Sequence, residues 1–268
     1  MRDFVFTGGT AVVTGAASGI GEALAHALAA RGSDLVLLDR DGDRLAAVAA
    51  AVGSARSGVE VATHVVDLSS PEQTDEIARR VLAAHPRLSL LINNAGVALG
   101  GRFDEITLEE FNWVVDVNFH APVRLTHALL PALTAVPGSH IANTSSVFGL
   151  IAPPGQSAYS ASKFALRGFT EVIRHELAGR VGVTSVHPGG IRTRIAESAR
   201  VGSGVPGGMD TRQWERVLRI DPAKAAGSIV DAIEHRKPRV LIGWSAKLPD
   251  LLVRLLPGAH SRLLGRWR

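Results

Sequence analysis

Seven short runs rich in apolar and β-branched residues alternate with longer amphipathic stretches along almost the whole chain. They are Thr10 to Thr14, Asp34 to Leu38, Val59 to Val66, Leu88 to Ile92, Ser139 to Asn143, Val181 to His187 and Arg239 to Ile242. Runs of this length, bounded by glycine or polar residues and each followed by a helical pattern, read as βαβ units with a parallel sheet covered on both faces. The spacing predicts helices over Ile20 to Arg31, Arg40 to Val52, Pro71 to His85, Leu108 to Ala135, Ala158 to Arg180 and Pro222 to His235. The expected fold is therefore α/β, doubly wound and Rossmann-type, with a seven-stranded parallel sheet in a single domain.

Two regions depart from the rhythm. Residues 195 to 215 carry Gly202, Gly204, Gly207, Gly208 and Pro206, a composition that predicts a lid-like loop. Residues 246 to 268 form a basic, amphipathic C-terminal extension to a catalytic unit over 1 to 245. Its leucines at 248, 251, 252, 255 and 256 are helically spaced before Pro257 and Gly258. Residues 247 to 268 contain Lys247 and four arginines against Asp250, a surplus of four that equals the whole formal charge of +4. The remainder is neutral overall, so no basic nucleic-acid face is expected. With no cysteine, the chain has no disulfide framework, no thiolate chemistry and no soft metal ligand, and no catalytic metal is expected. The absence of a leader pattern and of a long apolar run places the chain, as an expectation, in the cytoplasm.

The segment Thr14-Gly15-Ala16-Ala17-Ser18-Gly19-Ile20-Gly21 lies where the first strand hands over to the first helix. Glycines there permit a tight turn and close backbone approach, and amides at a helix start attract a pyrophosphate. Asp39 ends the second strand eighteen residues after Gly21, where a carboxylate accepts hydrogen bonds from the adenosine ribose hydroxyls. That position favours NAD, because a carboxylate repels a 2′-phosphate, although neighbouring Arg40 argues for NADP. Asp67, with Leu68 beside it, either meets the adenine amino group or caps the helix beginning near Pro71.

Tyr159 and Lys163 stand one helical turn apart and so share a helix face, with Ser146 thirteen residues before the tyrosine. A phenol ordinarily titrates near pH ~10, and lowering that by about three units takes roughly 4 kcal/mol. The lysine and a cationic cofactor are expected to supply it together. A tyrosinate so placed accepts a hydroxyl proton during oxidation, the phenol returns it during reduction, and a serine hydroxyl stabilises charge developing on the oxygen.

Together the glycine loop, Asn93-Asn94-Ala95-Gly96, Asn118, Ser146, Tyr159, Lys163 and Pro188-Gly189 resemble the short-chain dehydrogenase/reductase family over about residues 8 to 243. The resemblance implies that Ser146 holds the substrate oxygen, Tyr159 is the general acid/base and Lys163 binds the nicotinamide ribose. Its thirteen-residue gap selects Ser146 over Ser145. It further implies that Asn118 anchors a water linking Lys163 to solvent, that Asn94, Ala95 and Gly96 line the adenosine side, and that Ile191 and Thr193 hold the carboxamide after Pro188 and Gly189. Read without the family, Asn118 satisfies a backbone group within its own helix, and His187 is packing.

Val97, Phe148, Pro153, Pro154, Gln156, Ile195, Met209 and Trp214 give a mostly apolar pocket lining with one amide. That suits a hydrophobic secondary alcohol or its ketone. The leading expectation is NAD-dependent interconversion of the two. The alternatives are an NADP-dependent 3-oxoacyl thioester reductase and a non-catalytic dinucleotide-sensing regulator. The C-terminal leucines are expected to pack on their own subunit or a neighbour, ahead of contact with an anionic membrane or lipid carrier. The resemblance also implies self-association as a homotetramer, with a homodimer second.

Overall fold

The computed structural model describes residues 2–56, 58–193, 199–205 and 218–259. In chain order the elements are β1 (Thr10–Thr14), α1 (Gly19–Ala29), β2 (Asp34–Asp39), α2 (Gly42–Ala55), β3 (Val61–Val65), α3 (Pro71–Ala84), β4 (Leu90–Asn93) and β5 (Leu99–Gly100). Then follow α4 (Leu108–Val115), a π-helical turn (Asp116–His120), α5 (Ala121–Thr134), β6 (His140–Thr144), α6 (Ser157–Glu176), β7 (Gly182–Pro188), β8 (Arg200–Val201), α7 (Pro222–Glu234), β9 (Arg239–Ile242) and α8 (Trp244–Leu255). Seven strands form one sheet in the order β3-β2-β1-β4-β6-β7-β9, and every pairing in it is parallel.

Successive strand residues point to opposite faces, and both faces are dry. Val13, Leu35, Leu37 and Ile92 pack beneath α1, α2 and α7, whereas Val12, Val36, Leu91 and Ile141 pack beneath α3, α5 and α6. Burying each such side chain contributes roughly 1.5–3 kcal/mol, so the two cores fix the sheet from both sides. The order in which strands are added reverses at β1, whose neighbours are β2 and β4, and that switch point opens the crevice where α/β sheets bind ligands.

Three expectations need correction. The single helix over Leu108 to Ala135 is broken by the π-helical turn, a one-residue excess that hydrophobic periodicity does not register. Asp67 does not cap α3. Ser70 does, accepting from the Gln73 amide at 3.1 Å, while Asp67 turns its carboxylate to the Ser69 amide and hydroxyl at 2.9 and 2.8 Å. Of the C-terminal leucines, expected to pack on their own subunit or a neighbour, only Leu252 is half-buried against this subunit, while Leu248, Leu251, Leu255 and Leu256 are exposed. Within the expected lid, 199–205 is described and contributes β8, which pairs with β5. Ile195, Met209 and Trp214 lie outside the described residues. Helix α8 also crosses the expected boundary at residues 245 and 246. Its Ser245 hydroxyl accepts from the Gly190 amide at 3.0 Å, which ties it to the turn after β7.

Candidate active site

At the switch point, Thr14 stitches two loops together. Its hydroxyl accepts from the amides of Asn94 and Ala95 at 3.0 and 2.9 Å, and the Asn94 amide group donates to the Thr14 carbonyl at 3.1 Å. The approach is close enough to exclude side chains. A Cβ on Gly15 (φ +67°) would lie 2.8 Å from Ala95 Cα, and one on Gly21 would lie 1.9 Å from the Gly15 carbonyl oxygen. Gly19 adopts φ +57° against Thr193. Ser18 begins α1 without capping it through its side chain, so amides of the first turn, over Gly19, Ile20 and Gly21, remain available to an anion. A glycine-lined loop meeting an uncapped helix start is a cradle suited to a dinucleotide pyrophosphate.

Asp39 faces this loop. Its carboxylate accepts from the Ala17 amide at 2.9 Å and the Asp41 amide at 3.1 Å, which fixes it at the strand end, while Arg40 is exposed. Leu68 is buried beside the outer-lying Asp67. A cleft of about 1100 Å³ opens between α1, α2 and α7 beside Ser18 and Gly19, and none of Ser146, Tyr159 and Lys163 lines it. These three side chains therefore sit apart from that cleft.

Ser146, Tyr159 and Lys163 gather where β6 ends. Tyr159 and Lys163 occupy the first turns of α6, and the Lys163 ammonium lies 5.8 Å from the phenol ring centroid. Lys163 is buried, donates to the Thr144 carbonyl at 2.9 Å and has no carboxylate partner among the described residues. Burial pulls its ammonium down to about 8. Burial pushes the Tyr159 phenol up, and a hydrogen bond from Ser146 works in the opposite direction. The expected lowering of the phenol by Lys163 is thus not what the protein shows by itself, because desolvation dominates. Ser146 also accepts from the Phe148 amide at 3.1 Å, and the Phe148 ring stands edge-on to Tyr159 at 6.0 Å.

Asn118 sits in the π-helical turn but reaches out of its helix. Its oxygen accepts from the Val97 amide at 2.9 Å, and its amide group donates to the Val97 carbonyl and the Ser162 hydroxyl at 3.0 and 3.1 Å. Ser162 donates in turn to the Tyr159 carbonyl at 2.8 Å, so Asn118 braces the segment that carries the phenol. Between them lies Gly96, where a Cβ would come 3.2 Å from both the Asn118 oxygen and the Lys163 nitrogen. Pro188 closes β7, and Gly189 packs so tightly on α8 that a Cβ would lie 2.1 Å from the Ser245 hydroxyl. Ile191 is buried, and Thr193 abuts Gly19, so both loops converge on the crevice. Val97 belongs to an apolar cluster that also holds Leu99, Val114 and Tyr159, and Gln156 opens α6.

Two buried polar arrangements escape sequence reasoning. His187 is not plain packing: its Nδ1 lies 3.1 Å from the Ser146 carbonyl and its Nε2 2.9 Å from the Ser185 hydroxyl. A carbonyl only accepts, so Nδ1 carries the hydrogen and Nε2 accepts from Ser185. Burial pulls this imidazole down to about 4, keeping it neutral. The second is a chain from Thr126 through Asn93 and Asn143 to Thr170, with links of 3.1, 2.8 and 2.9 Å, which fastens β4 and β6 to α5 and α6. The available signal was an asparagine at or near the end of each of two strands, which register as neighbours once β4 and β6 pair.

A family model described as short chain dehydrogenase matches residues 9–203. The chain belongs to the short-chain dehydrogenase/reductase family. The Mycobacterium tuberculosis protein SadH is 40% identical over 263 residues, covering 97% of this chain and 95% of that one. A short-chain dehydrogenase/reductase from Burkholderia phymatum, solved in complex with NAD, superposes with a TM-score of 0.85 at 30% identity, covering 96% of each chain. A short-chain dehydrogenase from Sphingobium yanoikuyae, solved with NADPH, superposes at 0.77 with 29% identity, covering 97% and 96%. As a short-chain dehydrogenase/reductase, this chain is an oxidoreductase that works with a nicotinamide dinucleotide. No helix among its described residues is long and apolar enough to cross a membrane.

Proposed function

We propose that this enzyme interconverts a hydrophobic secondary alcohol and its ketone with NAD, Tyr159 carrying the proton. The observation that carries the reading is the Ser146–Tyr159–Lys163 cluster: a half-buried phenol hydrogen-bonded to a serine, beside a buried ammonium free of any carboxylate among the described residues. A bound dinucleotide supplies the hydride acceptor or donor. The loop from Gly15 to Gly21, Asp39, the stretch from Asn94 to Gly96 and the segment from Pro188 to Thr193 would hold it. Tyr159 takes the hydroxyl proton in oxidation and gives it back in reduction, and Ser146 donates to the substrate oxygen as charge grows there. Lys163 keeps positive charge near the phenol and offers donors to the ribose. Because burial alone raises the phenol, its ionisation depends on positive charge arriving with the dinucleotide.

Asp39, pinned at the end of β2, supports NAD, and exposed Arg40 supports the NADP alternative with an acyl thioester substrate. Val97 and Phe148 beside the phenol support an apolar substrate. Exposed Phe164 and Val172, eight positions apart along one face of α6, support a homotetramer or homodimer built on that helix. The test is a screen of apolar ketones, polar sugars and 3-oxoacyl thioesters with both dinucleotides. Turnover of apolar ketones with NADH is expected, and Asp39→Ala should weaken NAD about tenfold more than NADP, the worth of hydrogen bonds to a charged group. Activity confined to sugars, or NADP preference in the unaltered enzyme, would contradict this reading.

A further inference from the structure

Helix α8 turns an apolar stripe to solvent. Trp244, Leu248, Leu251 and Leu255 are 82%, 64%, 53% and 69% exposed. At 100° per residue they fall within an arc of about 60°. Lys247 and Arg254 lie together along one flank of that arc, and both are exposed. The helix's one acidic residue, Asp250, lies behind that flank: its side chain is only 14% exposed and is held between Arg239 and, at 3.1 Å, Arg254. Ala246 is the buried contact that seats the helix, and Ser245 ties its start to Gly190. These contacts hold the stripe outward.

We propose that α8 is a membrane-docking element that lies along an anionic lipid surface. An interfacial helix of this type places its apolar face among the acyl chains and its basic residues against lipid phosphates, with tryptophan favoured at the boundary. Sequence beyond the helix strengthens the charge match, since residues 247 to 268 hold five basic side chains against Asp250 alone. A second copy of the chain fits the patch less well. A two-fold interface sets the same surface against itself, so Lys247 would face its own copy, while the one acid of α8, Asp250, is already held by Arg239 and Arg254. The inference is independent of the substrate, because it concerns a face outside the catalytic cluster.

The test is co-sedimentation of the full chain with phosphatidylglycerol-rich vesicles and with pure phosphatidylcholine vesicles. Light scattering and a dinucleotide-binding measurement are run on the same samples. The unaltered protein should pellet with the anionic vesicles only. Leu248→Glu with Leu251→Glu should reduce the bound fraction at least about tenfold, and Lys247→Glu with Arg254→Glu by a similar factor that shrinks at high salt. Both variants change exposed positions, so unchanged dinucleotide affinity should show that each is folded. Failure of the unaltered chain to pellet, or equal pelleting of the leucine variant, would overturn the proposal. So would loss of self-association by the leucine variant with vesicle binding unchanged, which would assign the stripe to a second copy. None of these outcomes alters whether Tyr159 turns over a ketone, so the two readings fail separately.

Discussion

The two ends of the crevice are built from different materials. At the β1 and β2 end, position is set by backbone: glycines that exclude side chains, amides of a helix start, and a Thr14 hydroxyl clasping two neighbouring amides. At the β6 and β7 end, position is set by buried polar side chains, each held by another. Ser146 is held through His187, the α6 segment through Asn118 and Ser162, and the strand ends through Asn93 and Asn143. A backbone cradle tolerates no added atom, whereas a side-chain lattice tolerates added volume poorly and a missing donor worst of all.

The largest expected break in the cradle is Gly21→Ala. Its new Cβ would lie 1.9 Å from the Gly15 carbonyl oxygen, so the loop must move. Dinucleotide affinity should fall at least about 100-fold, the scale of losing several backbone hydrogen bonds to an anion. Titration calorimetry with NAD would show it, and unchanged affinity would mean that the loop does not hold the pyrophosphate. In the lattice, His187→Leu leaves the Ser146 carbonyl without its donor, which should lower kcat about tenfold while dinucleotide affinity stays within twofold. His187→Asn, which can donate from Nδ2, should recover most of that loss. Equal damage from both substitutions would make the histidine a matter of volume alone.

The smallest effect is on stability against pH. Burial pulls His140 down to about 3 and His187 to about 4, from 6.5. The unfolded chain takes up protons near 6.5 that the folded chain refuses. Stability should therefore be level above that pH and fall as pH drops toward 4, by up to about 1.4 kcal/mol per pH unit for each histidine. Thermal melts from pH 7.5 to 4 should show the decline, with a shallower slope in His187→Asn. A flat profile would mean that one or both rings accept a proton inside the fold.

The same contrast explains what the sequence could reveal. Every strand of the main sheet was legible to within two residues, because a buried parallel strand is a continuous apolar run with sharp ends. The glycine loop was legible because its work is done by residue types that nothing else replaces at a strand-to-helix turn. The spacing of Ser146, Tyr159 and Lys163 was legible because two of them ride one helix. His187, Asn143 and the brace from Asn118 to Val97 were not, since each depends on a partner 21 to 50 positions away that only strand pairing brings near. The raised phenol was missed for a related reason: charge neighbours can be counted along a chain, whereas desolvation belongs to the folded surroundings.

The central claim is that Tyr159 is the proton carrier and little more than that. Single-turnover oxidation of an apolar alcohol by Tyr159→Phe, measured beside NAD affinity, tests it most directly. Loss of the hydroxyl should slow turnover by about 10³-fold while NAD binds within twofold of the unaltered enzyme, since general acid–base groups contribute 10²–10⁴. Near-normal turnover by the phenylalanine variant, or a parallel collapse of NAD binding, would contradict it.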